Sequence, residues 1–168
     1  MRLQSLVGGT AMSYSASAVA DQTINPGETA IFTVVEQTTG RGLVRPSVGN
    51  SSFVLRGWVP NRSCNCCKCN DQTADYLVQF SANIAIPTGG TVGAISVAVT
   101  IDGITIPGSV MTVTPAAVEE FFNVAKVIDA NILKGCCQTV AIRNTSDQPI
   151  IMNNAFLVIS RPDLNMTY

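Results

Sequence analysis

Tyr76-Leu77-Val78-Gln79-Phe80-Ser81-Ala82-Asn83-Ile84-Ala85-Ile86 decides the fold class of this chain. Tyr76, Val78, Phe80, Ala82, Ile84 and Ile86 fall on one side of an extended backbone, while Gln79, Ser81 and Asn83 fall on the other. A strict period of two is what a half-buried strand requires, because successive side chains point to opposite faces of a sheet. Pro87-Thr88-Gly89-Gly90 stops the strand.

The same pattern extends in both directions. From Gly93 onward, Ile95, Val97, Val99 and Ile101 share a face, and the small residues Ala94, Ser96, Ala98 and Thr100 occupy the other. Asp102-Gly103 between two apolar runs predicts a tight hairpin, since both central residues of that turn need positive φ. Thr114-Pro115 followed by Glu119-Glu120 carries the cap and charge of a helix start. The loose alternation of Phe122, Val124, Lys126 and Ile128 favours instead a turn at Pro115 and a strand to Ile128. Strands are also expected at Ala30–Val35, Ser51–Val59, Val140–Arg143 and Ile150–Ser160. About eight or nine short strands without repeats predict an all-β, two-sheet jelly roll over residues 30–162. Residues 163–168 are expected to form a short tail.

Residues 1–29 are rich in Ser, Ala, Thr and Gly and are expected to form an extended N-terminal arm that anchors the domain or joins subunits. Leu3, Leu6 and Val7 faintly mimic a leader, but Gln4, Ser5, Gly8 and Gly9 make the stretch too polar for one.

Composition narrows the function. Apolar residues make up 46% of the chain and charged residues 12%, about half the usual charged share. With 10 basic and 11 acidic side chains, no polybasic nucleic-acid surface is expected. No apolar run reaches the ~18 residues of a membrane-spanning helix, so no membrane partner is expected. The chain has no histidine, which removes Ser-His-Asp and Cys-His catalysis and His-ligated zinc. A β-rich surface this poor in charge predicts burial against other subunits. The expectation is a binding or structural protein, not an enzyme, with no cofactor and no metal.

Cysteine is the unusual feature. Cys64, Cys66, Cys67 and Cys69 lie in a Cys-rich loop spanning residues 60–75, and Cys136 and Cys137 are vicinal. The C-x-x-C spacings suit soft thiolate metal sites, but neighbouring ligands close a tetrahedron poorly. Disulfides within or between subunits and free thiols are the competing readings, and six cysteines allow fifteen pairings. At least one disulfide in the loop and no bound metal are expected. Carboxylates offer little: Glu119 and Glu120 would face opposite ways in a strand, and Asn70, Asp71 and Asp75 match no calcium-loop spacing.

Several segments carry a family resemblance. Tyr76–Phe80 resembles the aromatic strand of the globular trimeric jelly rolls of the C1q and tumour-necrosis-factor type, and Asn154–Ile159 resembles their last, centrally buried strand. Residues 86–93 (Ile-Pro-Thr-Gly-Gly-Thr-Val-Gly), 113–118 and 135–140 resemble proteins encoded by gut Firmicutes and their tailed phages. The resemblance implies a homotrimer and a virion role without catalysis: a capsid decoration, head fibre or related accessory that meets other virion proteins through its arm. A bacterial surface or spore-appendage subunit is the first alternative, and a carbohydrate-binding jelly roll the second. Ala94, Ser96 and Ala98, together with Phe156 and Val158, are the expected trimer interface.

Overall fold

The computed structural model describes residues 12–39, 42–59 and 72–165. Among them are twelve strands: β1 (Met12–Ala18), β2 (Gln22–Ile24), β3 (Val34–Thr38), β4 (Val44–Pro46), β5 (Phe53–Arg56), β6 (Thr73–Ala85), β7 (Ile95–Ile101), β8 (Ile104–Thr105), β9 (Met111–Val113), β10 (Phe122–Leu133), β11 (Cys137–Asn144) and β12 (Ile150–Arg161). The first sheet runs β10-β6-β12-β1-β3, with β2 continuing the line of β1 beside β12. The second runs β4-β5-β11-β7-β8, with β9 further along the same edge of β7. Every pairing is antiparallel, and the two sheets close on one core as a jelly roll.

The core follows the alternation. Tyr76, Val78, Phe80, Ala82 and Ile84 of β6 point inward with Leu157 and Ile159 of β12, against Val97 and Val99 of β7 and Val140 and Ile142 of β11. Three rings lock the centre: Phe53 lies 5.5 Å from Tyr14 and 5.6 Å from Phe32 in tilted and edge-on geometry, as ring quadrupoles prefer. At one end of the core Arg161 is fully buried, its guanidinium 4.9 Å from the Tyr76 ring and its Nη1 donating to Trp58 O at 3.0 Å. Stacking on an aromatic face suits a planar cation with little hydration.

Two predicted turns form as read. Asp102 (φ 50°) and Gly103 (φ 78°) both take left-handed conformations, and Asp102 Oδ1 accepts from Thr139 N at 2.7 Å, tying the hairpin to β11. Residues 115–121 form bends and turns before β10 begins at Phe122, so the strand reading holds there.

Other boundaries differ. Residues 12–29 are no extended arm: β1 lies between β12 and β3, with Met12 only 1% exposed. Met12, Tyr14, Ala16 and Ala18 are a period-two apolar face whose small members let the strand sit deep. Residues 1–11 of the expected arm lie outside the described residues. The run Ala30–Val35 is not one strand. Ala30 N donates to Ile142 O on the second sheet, Phe32 packs in the core, and β3 then pairs with β1 on the first, so the segment crosses between sheets. The strand expected to start at Tyr76 begins at Thr73. Of the expected tail, residues 163–165 belong to a 3-10 turn, Pro162–Asn165, with Leu164 packed on the core, and residues 166–168 lie outside the described residues.

Candidate functional site

The outer face of the first sheet is the surface on which uncharged and apolar groups gather. Across β10, β6 and β12 the ladders align outward-facing side chains in rows, Ala125, Ser81 and Phe156, then Val127, Gln79 and Val158. Ser17 and Ser15 of β1 continue the rows but are buried, and Ser17 Oγ donates to Glu36 Oε1 at 2.6 Å. Phe156 is 41% exposed and Val127 56%. Gln79, Ser81, Ala125, Val127, Phe156 and Val158 line an open groove of about 220 Å³ bordered by Lys126. From Leu77 to Asn83 on β6, and from Asn153 to Ser160 on β12, no charged side chain stands on this face. Small side chains beside exposed rings allow another backbone to approach closely, and depletion of charge is the mark of an interface centre.

A bulge in β12 shapes one end of the face. The β12–β6 register shifts between Asn153 and Phe156, with Asn154 held at φ 47°. Three residues apart, Asn153 and Phe156 would face opposite sides of a regular strand; the bulge turns both outward and sends Met152 and Ala155 to the core. Beyond the apolar rows lies an amide ladder. Asn123 Nδ2 donates to Asn83 Oδ1 (3.1 Å), Asn83 Nδ2 to Asn153 Oδ1 (3.2 Å), and Asn153 Nδ2 to Asp21 Oδ1 (2.8 Å).

The expected interface residues do not form one patch. Phe156 and Val158 lie on this face, whereas Ala94, Ser96 and Ala98 belong to the far side of the sandwich. Ala98 is wholly buried within the single chain, so it has no surface to offer a second copy. Ser96 is occupied by its own chain: its N–H donates to Ser146 Oγ and its hydroxyl shares a hydrogen with Thr145 Oγ1, both at 2.7 Å. Ala94 is exposed just before β7, and Ser96 is the one of the three that bonds the chain's own 145–146 turn. Val127, Ala125, Gln79 and the amide ladder went unread in the sequence, where the break in β12 phase after Met152 was the available signal.

Cys64, Cys66, Cys67 and Cys69 lie outside the described residues. Cys136 and Cys137 are exposed free thiols at the start of β11. Gly57 N donates to Cys136 O (2.7 Å) and Lys134 N to Gln72 O (2.9 Å), so the described residues flanking the Cys-rich loop on both sides are tied to the β10–β11 turn. Among the described residues no group of three or more Cys, Asp or Glu side chains is placed to hold a metal ion, and no helix is long and apolar enough to cross a membrane.

The chain is similar in structure to the globular domain of zebrafish complement 1qA protein (TM-score 0.55, 10% identity, 89% of this chain and 94% of that one). It is likewise similar to murine APRIL (TM-score 0.52, 12% identity, 90% of this chain and 99% of that one). The fold is the C1q and tumour-necrosis-factor jelly roll. The vertex protein P5 of PRD1 also aligns, at TM-score 0.43, a likeness too loose to carry an inference. No protein-family model and no curated protein matches the chain. The resemblance read from Tyr76–Phe80 and Asn154–Ile159 thus holds at the level of fold: the first segment lies in β6, the second in β12, adjacent at the centre of the first sheet.

Proposed function

We propose that this chain is a non-enzymatic structural subunit of a tailed-phage virion, a capsid decoration, head fibre or related accessory, assembling as a homotrimer through the outer face of its first sheet. The observation that carries the trimer is that uncharged face around Phe156 and Val158 at the middle of the sheet. Supporting it are the low charge of the whole chain and the exposed apolar side chains Ile104, Val110 and Phe121 elsewhere on its surface, which an isolated protein would carry at a cost in solubility. A contact between two different patches of one chain closes into a ring, and three copies make the smallest ring of that kind larger than a dimer.

The virion assignment rests on the sequence resemblance to phage-encoded proteins over residues 86–93, 113–118 and 135–140. Attachment to the shell falls to residues 1–11, since the rest of the predicted arm is built into the sheet. The chain has no histidine, and among the described residues no pair of carboxylates and no nucleophile–base pair on the face supports an enzymatic reading.

Multi-angle light scattering tests the oligomer: the full chain runs at three times its own mass. Phe156→Glu places a charge in the centre of the face and yields folded monomers, because burying an unpaired carboxylate is strongly unfavourable. A wild-type monomer at micromolar concentration refutes the trimer. Peptide mass spectrometry of purified phage particles tests the location, and its absence from particles whose genome encodes it refutes a virion role.

A further inference from the structure

We infer that the ladder Asn123–Asn83–Asn153 fixes the axial register in which a second copy of this chain seats on the face of the first sheet. The inference rests on the trimer reading and names what makes that contact specific.

The apolar rows alone do not choose a register. Hydrophobic contact is non-directional and follows area. The rows Ala125–Ser81–Phe156 and Val127–Gln79–Val158 repeat every two residues along the strands, so a neighbour displaced by one row covers nearly the same area. The amide ladder breaks that equivalence. It crosses β10, β6 and β12 and ends on the Asp21 carboxylate, giving the apolar patch a polar border on one side. Each amide donates to the next, and Asn123 Nδ2 also reaches Ala82 O at 3.3 Å, so the ladder is ordered within one chain before any partner arrives. A copy that slid one row toward the border would lay apolar groups over these amides. Their remaining lone pairs and N–H groups would lose water without gaining partners. Single polar layers fix register in other apolar interfaces by the same penalty.

The backbone carries a second mark of the arrangement. β12 is a central strand, yet it holds a bulge with a non-glycine residue in the left-handed region, Asn154 at φ 47°. Such a conformation is unfavourable for most side chains and is held by the surrounding structure. Asn154 N donates to Val19 O (3.2 Å) and its Nδ2 to Asn153 Oδ1 (3.3 Å). The bulge puts Asn153 beside Phe156 on one face; a regular strand would separate them. A second copy is the occupant that fits, because the centre of the face on β6 and β12 is uncharged, Lys126 and the Asp21 carboxylate stand only at its borders, and this chain itself supplies exposed uncharged apolar groups.

Native mass spectrometry of the full chain and of Asn83→Leu/Asn153→Leu tests the inference. Leucine keeps the γ-branched shape of the side chain, at somewhat larger volume, and turns the polar border apolar. Wild type gives trimer with only a trace of other species, while the variant, at equal circular dichroism, gives trimer mixed with other assemblies, raising the share outside the trimer about tenfold. Asn83→Ala/Asn153→Ala, a milder change, shifts the distribution in the same direction and serves if the leucine variant does not fold. A trimeric wild type with both variants equally trimeric overturns the register role and leaves the trimer standing. A monomeric wild type removes the trimer and this inference together.

Discussion

Tyr14 holds its ring in the central aromatic cluster against Phe53, yet its hydroxyl is buried without a hydrogen-bond partner among the described residues. Desolvation pushes its ionisation above the ordinary value of 10.0, because the phenolate would be stranded in the core. The folded chain thus keeps this proton at a pH where the unfolded chain releases it. The associated stability is complete below about pH 10 and is lost as pH rises through the higher folded value. Tyr14→Phe removes an uncompensated polar atom and keeps the ring, so it is expected to be neutral or stabilising by about 1 kcal/mol. In urea unfolding, the advantage of Tyr14→Phe over wild type should widen between about pH 8 and about pH 11. A loss of more than about 1 kcal/mol on substitution would mean that the hydroxyl has a partner after all. At this scale the sequence was readable where local chemistry decides the outcome. Asp102-Gly103 demanded its turn whatever surrounded it. That Arg161 ends at the Tyr76 ring was unreadable, because Tyr76 and Trp58, which it meets, and Arg56, whose carbonyl takes the Tyr76 hydroxyl, come from distant parts of the chain.

Elements were legible in proportion to the strength of their alternation. β6, β7 and β12 announced themselves with large apolar residues at every second position. β1 did not: Met-Ser-Tyr-Ser-Ala-Ser-Ala alternates just as strictly, but serine and alanine make it look like a solvated arm. It is buried because β12 and β3 pair with it on both sides, and small residues are what such a place admits. A truncation experiment separates the two meanings of the N-terminus. Removing residues 1–11 should leave a cooperative β unfolding transition and abolish incorporation into particles. Removing residues 1–18 deletes a central strand, exposes the β12 ladder and should leave no folded protein, as circular dichroism and proteolysis would register. Full incorporation of the shorter truncation would detach the anchoring role from residues 1–11. The candidate face was half legible for a related reason. Phe156 and Val158 stood out as apolar residues in a strong strand, but the bulge after Asn153 changes which side chains share a side, and a period-two reading runs straight through it.

In the whole molecule only 12% of the residues are charged, and on β7 Ala98 and Thr100 are buried within the chain while Ser96 is half-buried. Stability and assembly should therefore be coupled. If three chains fold and associate together, mass action makes the unfolding midpoint depend on concentration, because association favours only the folded state. Each tenfold increase in total chain adds about 2.7 kcal/mol per trimer, or about 0.9 kcal/mol per chain, two factors of ten shared among three chains. For a domain of this size that corresponds to a rise of about 2–4 °C in Tm per tenfold. Phe156→Glu, folded but monomeric, should unfold at one temperature over the same range and below the wild type at every concentration. Calorimetry at three concentrations spanning two decades distinguishes the cases. A wild-type midpoint that stays flat would place the stability of this jelly roll in its own core, where Tyr14, Phe32 and Phe53 meet, and leave the Phe156 face as surface.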